Sequence, residues 1–174
     1  MADHAEFEDL VARFYTPLYQ FAFSLSRSEA DACDLTQQTF VIWAAKGHQL
    51  RDVTKVKTWL FTTLHREFLS SRRRQERFPH FDLETAEPEL PVVPPVEVTS
   101  FDIARVMDAL AQVEAVYQAP VALFYLQDHS YLEIAEILEV PLGTVKSRLA
   151  RGLGRLQQLL ASDLAAGQNP PPNL

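Results

Sequence analysis

Along the first 75 or so residues apolar side chains recur at steps of three and four, and no segment alternates strictly enough to be a strand. Phe7, Leu10, Val11, Phe14, Leu18, Phe21 and Leu25 fall on one face of a long helix, because about 100° of rotation per residue brings such positions together. A second helix is predicted over residues 29 to 46, with Leu35, Thr39, Ile42 and Trp43 inward and Gly47 at its C-terminal cap. A third is predicted from about Thr54 to Arg74, with Val56, Trp59, Leu60, Thr63 and Leu64 inward. Three such stripes make a helical bundle.

The pattern stops at residues 78 to 100, FPHFDLETAEPELPVVPPVEVTS, where five prolines, five acidic residues and no glycine disfavour both helix and central strand. This reads as a flexible linker, and at about 3.1 Å per residue of proline-rich chain it reaches roughly 70 Å when stretched. Helical periodicity then resumes with Ile103, Val106, Met107 and Leu110, followed by an apolar segment around Val121, Leu123, Phe124 and Leu126 that Pro120 starts or kinks. In SYLEIAEIL, Ser130 and Glu133 have capping-box spacing, which opens a short helix at Tyr131 with Leu132, Ala135 and Leu138 inward. After the turn EVPLG a last helix begins. The expected architecture is all-α: a helical bundle over 1–77, the linker over 78–100, a second bundle with a helix-turn-helix over 101–162, and a disordered tail over 163–174.

The last helix, within PLGTVKSRLARGLGRL, divides into two faces. Val145, Leu149, Leu153, Leu156 and Leu160 lie within an arc of about 80°, while Thr144, Ser147, Arg148, Arg151 and Arg155 lie within about 100° opposite, with Lys146 at the edge. Solvated helices usually mix signs, yet no Asp or Glu occurs between Val140 and Ala161. Arginine can make two hydrogen bonds to guanine in a major groove, and Ser, Thr and Lys suit phosphates, so this face is fit for DNA. Gly152 and Gly154 are unexpected in a helix interior, where each costs about 1 kcal/mol against alanine; they permit either close packing or fraying.

Net charge sharpens that reading. The chain carries −7 overall, but residues 51–77 hold eight Lys/Arg against three Asp/Glu and residues 143–160 hold four against none. Two basic patches on an acidic body point to nucleic acid touched at two places. The lone cysteine, Cys33, excludes an internal disulfide and reads as a small core residue; no CxxC or HExxH spacing binds a metal, and no cofactor is expected. The acidic start MADHAEFEDL and the lack of any long apolar run lead us to expect a cytoplasmic protein without membrane insertion. Nothing pairs a nucleophile with a base or cradles a phosphate, so no enzyme is expected.

SYLEIAEILEVPLGTVKSRLARGLGRL closely resembles region 4 of the extracytoplasmic-function (ECF) sigma factors, and DACDLTQQTFVIW with KTWLFTTLHREFLSSRRRQ resembles their region 2. The resemblance implies a dissociable subunit of bacterial RNA polymerase that binds the clamp of the beta-prime subunit and the flap of the beta subunit. Region 2 would also grip the promoter minus-10 element, and region 4 would read the minus-35 element. It assigns core binding to Asp34, Gln37 and Gln38 with Phe40, although Phe40 and Trp43, like Trp59, read first as packing residues. It gives the minus-10 element to the loop residues His48, Gln49 and Arg51, with Asp52 beside them and His48 also readable as an ordinary loop histidine. Lys55, Lys57, Arg66, Arg72, Arg73 and Arg74 would hold phosphates there. The minus-35 element falls to Thr144, Lys146, Ser147, Arg148, Arg151 and Arg155. Gln38 stands where the family commonly has Glu, and HRE at 65–67 where it has an R-N pair.

If the two promoter boxes lie about one and a half DNA turns apart, the gap is roughly 50 Å, within the linker's reach. The resemblance further implies an anti-sigma factor supplied in trans. Two other classes compete: a sigma-like mimic that titrates an anti-sigma factor without reading promoters, and a simple helix-turn-helix regulator. The first would have no use for a basic face on the last helix, and the second none for the pattern around Asp34.

Overall fold

A computed structural model of the chain describes residues 4–77 and 99–167, with side chains described from 6 to 77 and from 103 to 162. The Pro-rich stretch from 78 to 98 and residues 168–174 lie outside them, and the expected linker and tail are each shortened, because α4 already begins at Thr99 and α7 continues to Gly167. Among the described residues there are seven α-helices and no strand: α1 (His4–Ser26), α2 (Glu29–Lys46), α3 (Val56–Arg77), α4 (Thr99–Ala111), α5 (Ala115–Tyr125), α6 (Tyr131–Leu138) and α7 (Leu142–Gly167). Among these, no helix is long and apolar enough to cross a membrane.

The first bundle packs α1 against α2 and α3. Phe14, Leu18 and Phe21 of the predicted α1 stripe are buried, joined by Ala22. Arg27, in the left-handed region at φ 57°, ends α1, and the Ser28 hydroxyl starts α2 by accepting from the Asp31 N–H at 3.2 Å. On α2, Leu35 and Thr39 are buried as expected, together with Ala32, Thr36 and Phe40. Gly47 does cap α2, but not by a left-handed turn: its φ of −58° is helical. What requires glycine is the Trp43 indole, since a Cβ at residue 47 would stand 2.6 Å from that ring.

In the second bundle α7 is the spine, packed against α4, α5 and α6. Pro120 neither starts α5 nor ends it, because the helix begins five residues earlier and passes through it. The capping box opening α6 is complete: the Glu133 N–H donates to Ser130 Oγ at 3.3 Å and the Ser130 N–H donates to Glu133 Oε2 at 2.7 Å. The expected inward face of α6 is corrected by rotation about the axis. Leu132 is exposed, and Ile134 and Ile137 are buried with Leu138, because α6 is clasped by α5 and α7 on one side and by α3 on the other. On α7 Val145, Leu149 and Leu156 are buried as the pattern predicted, together with Gly152, while Leu153 and Leu160 are half-buried.

The two bundles meet along α3 with α6 and α1 with α5. Phe61 of α3, fully buried, lies against Phe21 at 5.4 Å between centroids and edge-on to the His129 ring at 4.7 Å. Burial of a phenyl ring contributes about 1.5–3 kcal/mol, so this contact is a packed joint between the halves.

Candidate functional site

The basic face of α7 is displayed as its periodicity requires. Lys146, Ser147, Arg151 and Arg155 are exposed and Thr144 and Arg148 half-buried, while Val145, Leu149 and Leu156 anchor the opposite side to the bundle. Ser147 Oγ donates to the Thr144 carbonyl at 3.1 Å, and the Arg155 guanidinium reaches Gln158 Oε1 at 3.5 Å, both within α7. The anchored side fixes the helix; the other presents guanidinium, ammonium and hydroxyl donors to solvent, suited to phosphates and guanine edges.

Between α2 and α3 the chain makes two tight 3-10 turns, Gly47–Gln49 and Val53–Lys55. His48, Gln49 and Arg51 are exposed on this loop. Asp52 serves the turn itself: its Oδ1 accepts from the Thr54 hydroxyl at 2.6 Å and from the Thr54 N–H at 3.0 Å, and these bonds hold its carboxyl below the usual carboxylate range. Val53 beside it is 79% exposed, an apolar side chain offered to solvent within the same loop.

The remaining predicted residues do not form one surface. Lys55 Nζ donates to Glu136 Oε2 at 3.1 Å, Lys57 Nζ to the Gln127 carbonyl at 2.5 Å, and Arg66 pairs with Glu139, its Nε donating to Oε1 at 3.1 Å. All three therefore face the second bundle. Arg72, lying over the Phe68 ring at 5.9 Å, turns instead with Arg74 into a groove of about 770 Å³ between α2 and α3. That groove is also lined by Asp34, Gln37 and Gln38, so the structure brings these two arginines to the residues assigned to polymerase. Arg73 lines a neighbouring recess with Ser70 and Arg77. Phe40 is 6% exposed and edge-on to Phe7 at 6.5 Å; it supports α2 from inside and offers no surface of its own.

The acidic and polar residues that answer these cations, Glu136, Glu139 and Gln127, are absent from the sequence reading, as is the His129 ring beneath them. One signal for the joint exists in the sequence: Thr58, Phe61 and His65 recur at three and four on α3, beside the stripe that fills the first bundle.

The chain matches the family described as Sigma-70 region 2 over residues 10–78 and that described as Sigma-70, region 4 over residues 103–156. It is similar to the ECF RNA polymerase sigma factor SigM of Mycobacterium tuberculosis, at 30% identity with 91% of this chain and 79% of that protein covered. It is also similar to the ECF RNA polymerase sigma factor SigW of Bacillus subtilis, at 25% identity with 91% and 90% covered. Among solved structures, the sigma factor RpoE in complex with the anti-sigma factor NepR from Bartonella quintana superposes with a TM-score of 0.72 at 31% identity, covering 91% of this chain and 98% of that one. Two helical bundles in this order, a capped helix-turn-helix with a basic outer face and these similarities together place the chain in the ECF family of RNA polymerase sigma factors.

Proposed function

We propose that this chain binds core RNA polymerase and directs promoter-specific initiation, without catalytic chemistry of its own. The observation that carries the reading is the outer face of α7, where six donor side chains stand on a helix whose opposite side is locked into the bundle. In this reading residues 1–77 are region 2, 78–100 a linker and 101–162 region 4. Thr144, Lys146, Ser147, Arg148, Arg151 and Arg155 contact the minus-35 element. His48, Gln49 and Arg51 contact the minus-10 element, with Lys55, Lys57, Arg66 and Arg73 on its phosphates. Asp34, Gln37 and Gln38 meet the polymerase clamp, joined by Arg72 and Arg74 across the groove they share, and the second bundle meets the beta flap. An anti-sigma factor is the natural further partner, since the RpoE neighbour is bound to one.

The direct test is transcription from fragmented genomic DNA by bacterial core polymerase with and without the protein, with start sites mapped. New starts that share two upstream motifs are expected. A chain that binds core yet starts nothing would be a mimic, and one that does not bind core would refute the assignment. Asp34 gives a second measurement: reversing its charge in Asp34→Lys should weaken core association at least tenfold, about 1.4 kcal/mol, by removing a carboxylate acceptor and adding a third cation to the groove that Arg72 and Arg74 already line. Unchanged affinity would remove Asp34 from the interface.

A further inference from the structure

The joint between the bundles contains a group that the proposed function does not use. His129, in the loop between α5 and α6, is 2% exposed, and neither ring nitrogen has a hydrogen-bond partner. Such a group costs about 1–3 kcal/mol relative to a satisfied or apolar one. The groups that face it from each neighbouring element are few. From α3 come the Phe61 ring and Lys57; from α6 comes Glu133, whose carboxylate lies 3.8 Å from Nδ1; Asp128 precedes it in the loop. From α1 the polar contribution is Gln20, which accepts from the Gln127 amide at 3.2 Å. A second histidine, His65 of α3, stands half-buried at the same joint near Glu139.

We propose that this joint is an acid-released latch: protonation of His129 and His65 parts the two bundles and frees Lys55, Lys57 and Arg66 from their ties to Glu136, Gln127 and Glu139. Geometry supplies the reason. An imidazolium at residue 129 would be sealed away from water, packed on the Phe61 ring and beside the Lys57 ammonium, with one carboxylate too distant for a hydrogen bond. Burial accordingly pushes His129 down to about 4, with Lys57 adding to the effect and Glu133 and Asp128 opposing it; burial pushes His65 down to about 4, against the pull of Glu139. Once the bundles part, both rings meet water and return toward their ordinary value near 6.5. The open form therefore takes up protons at a pH where the closed form does not. The contribution of the two histidines to closure is present above about pH 6.5 and is lost progressively as pH falls toward 4.

Glu133 and Glu139 do not mimic this response at mildly acid pH. Glu133 is held below the usual range by the Ser130 N–H and Glu139 by its bond to Arg66, so both keep their charge at pH 5.5. The consequence for DNA rests on the sigma-factor reading, whereas the opening itself does not. Lys55 and Arg66 now face Glu136 and Glu139 where that reading has them face phosphates. Moreover α7 packs directly on α6, which packs on α3, so the axes of α3 and α7 lie within about two interhelical spacings, roughly 20 Å, against the roughly 50 Å between promoter boxes.

The test is small-angle X-ray scattering of the full chain between pH 7.5 and 5.5, compared with a His129→Phe, His65→Leu double variant. The wild-type closed-to-open ratio should fall by up to roughly tenfold for each histidine over that range, seen as a rising radius of gyration, while the variant stays compact. A wild-type chain that keeps its dimensions to pH 5.5, or a variant that opens equally, would overturn the latch. Should the double variant not fold, NMR titration of the wild-type imidazoles decides: both must titrate well below 6.5 while the chain is compact, and ordinary values would end the proposal. Affinity of the free chain for a single-stranded minus-10 oligonucleotide should rise with opening. Opening without that rise would leave the latch standing and count against the minus-10 assignment.

Discussion

Replacing Arg148 and Arg151 with alanine should abolish promoter-specific initiation while core association stays intact. Both side chains belong to the outward face of α7, and neither contributes to the buried row of Val145, Leu149 and Leu156 that holds the helix in place. A two-pronged arginine contact with a guanine is worth about 1–3 kcal/mol, so loss of two lowers promoter affinity by roughly 30- to 20,000-fold. Transcription from a mapped promoter, set beside core binding by the same variant, reads the two effects separately. Equal loss of both would mean that this face serves folding or polymerase contact. Conversion of both residues to lysine is a useful companion: positive charge on phosphates survives, but the two-pronged contact does not.

The second large effect concerns stability and comes from two neighbouring glycines with opposite surroundings. A Cβ on Gly152 would stand 2.5 Å from Val121 Cγ2 and 3.0 Å from the Tyr117 Cβ, so α5 and α7 approach each other at this point as only a glycine allows. A Cβ on Gly154 would meet nothing within 4 Å. Gly152→Ala should therefore destabilise the chain by about 1–3 kcal/mol through overpacking, even though alanine is the better helix former. Gly154→Ala should instead stabilise it by up to about 1 kcal/mol, because only the propensity gain remains. In thermal denaturation the first should lower the midpoint by roughly 2–12 °C and the second raise it by up to about 4 °C. Equal shifts of the same sign would mean that α5 does not approach α7 so closely.

Those glycines also mark where the sequence is informative and where it stops. Periodicity alone places the helices, because local stripes such as Leu18–Phe21 and Val145–Leu149–Leu156 satisfy partners within their own bundle. It shows that residues 152 and 154 are unusual, but not which is pressed against a neighbour, since that depends on α5, some 30 residues away. Leu132 illustrates the opposite error. A short helix offers too few turns to define its inward side, and contact from α3 shifted that side toward Ile134 and Ile137. The candidate site divides the same way. Which side of α7 faces outward is legible from one helix, whereas Lys55, Lys57 and Arg66 acquire partners 70 or more residues distant that no local pattern announces. Charge counting identified the cations but not what they face.

Glu139 illustrates what such a distant partner permits. It caps α6 in the left-handed region, at φ 56° and ψ 44°, while its carboxylate holds Arg66 of the other bundle. Backbone and side chain thus answer to two separate equilibria at one residue. Asparagine tolerates that conformation, so Glu139→Asn would keep the turn while giving up the ionic tie to Arg66. A lineage could therefore adjust how readily its sigma factor opens by a single codon change, leaving the fold of either bundle out of the bargain.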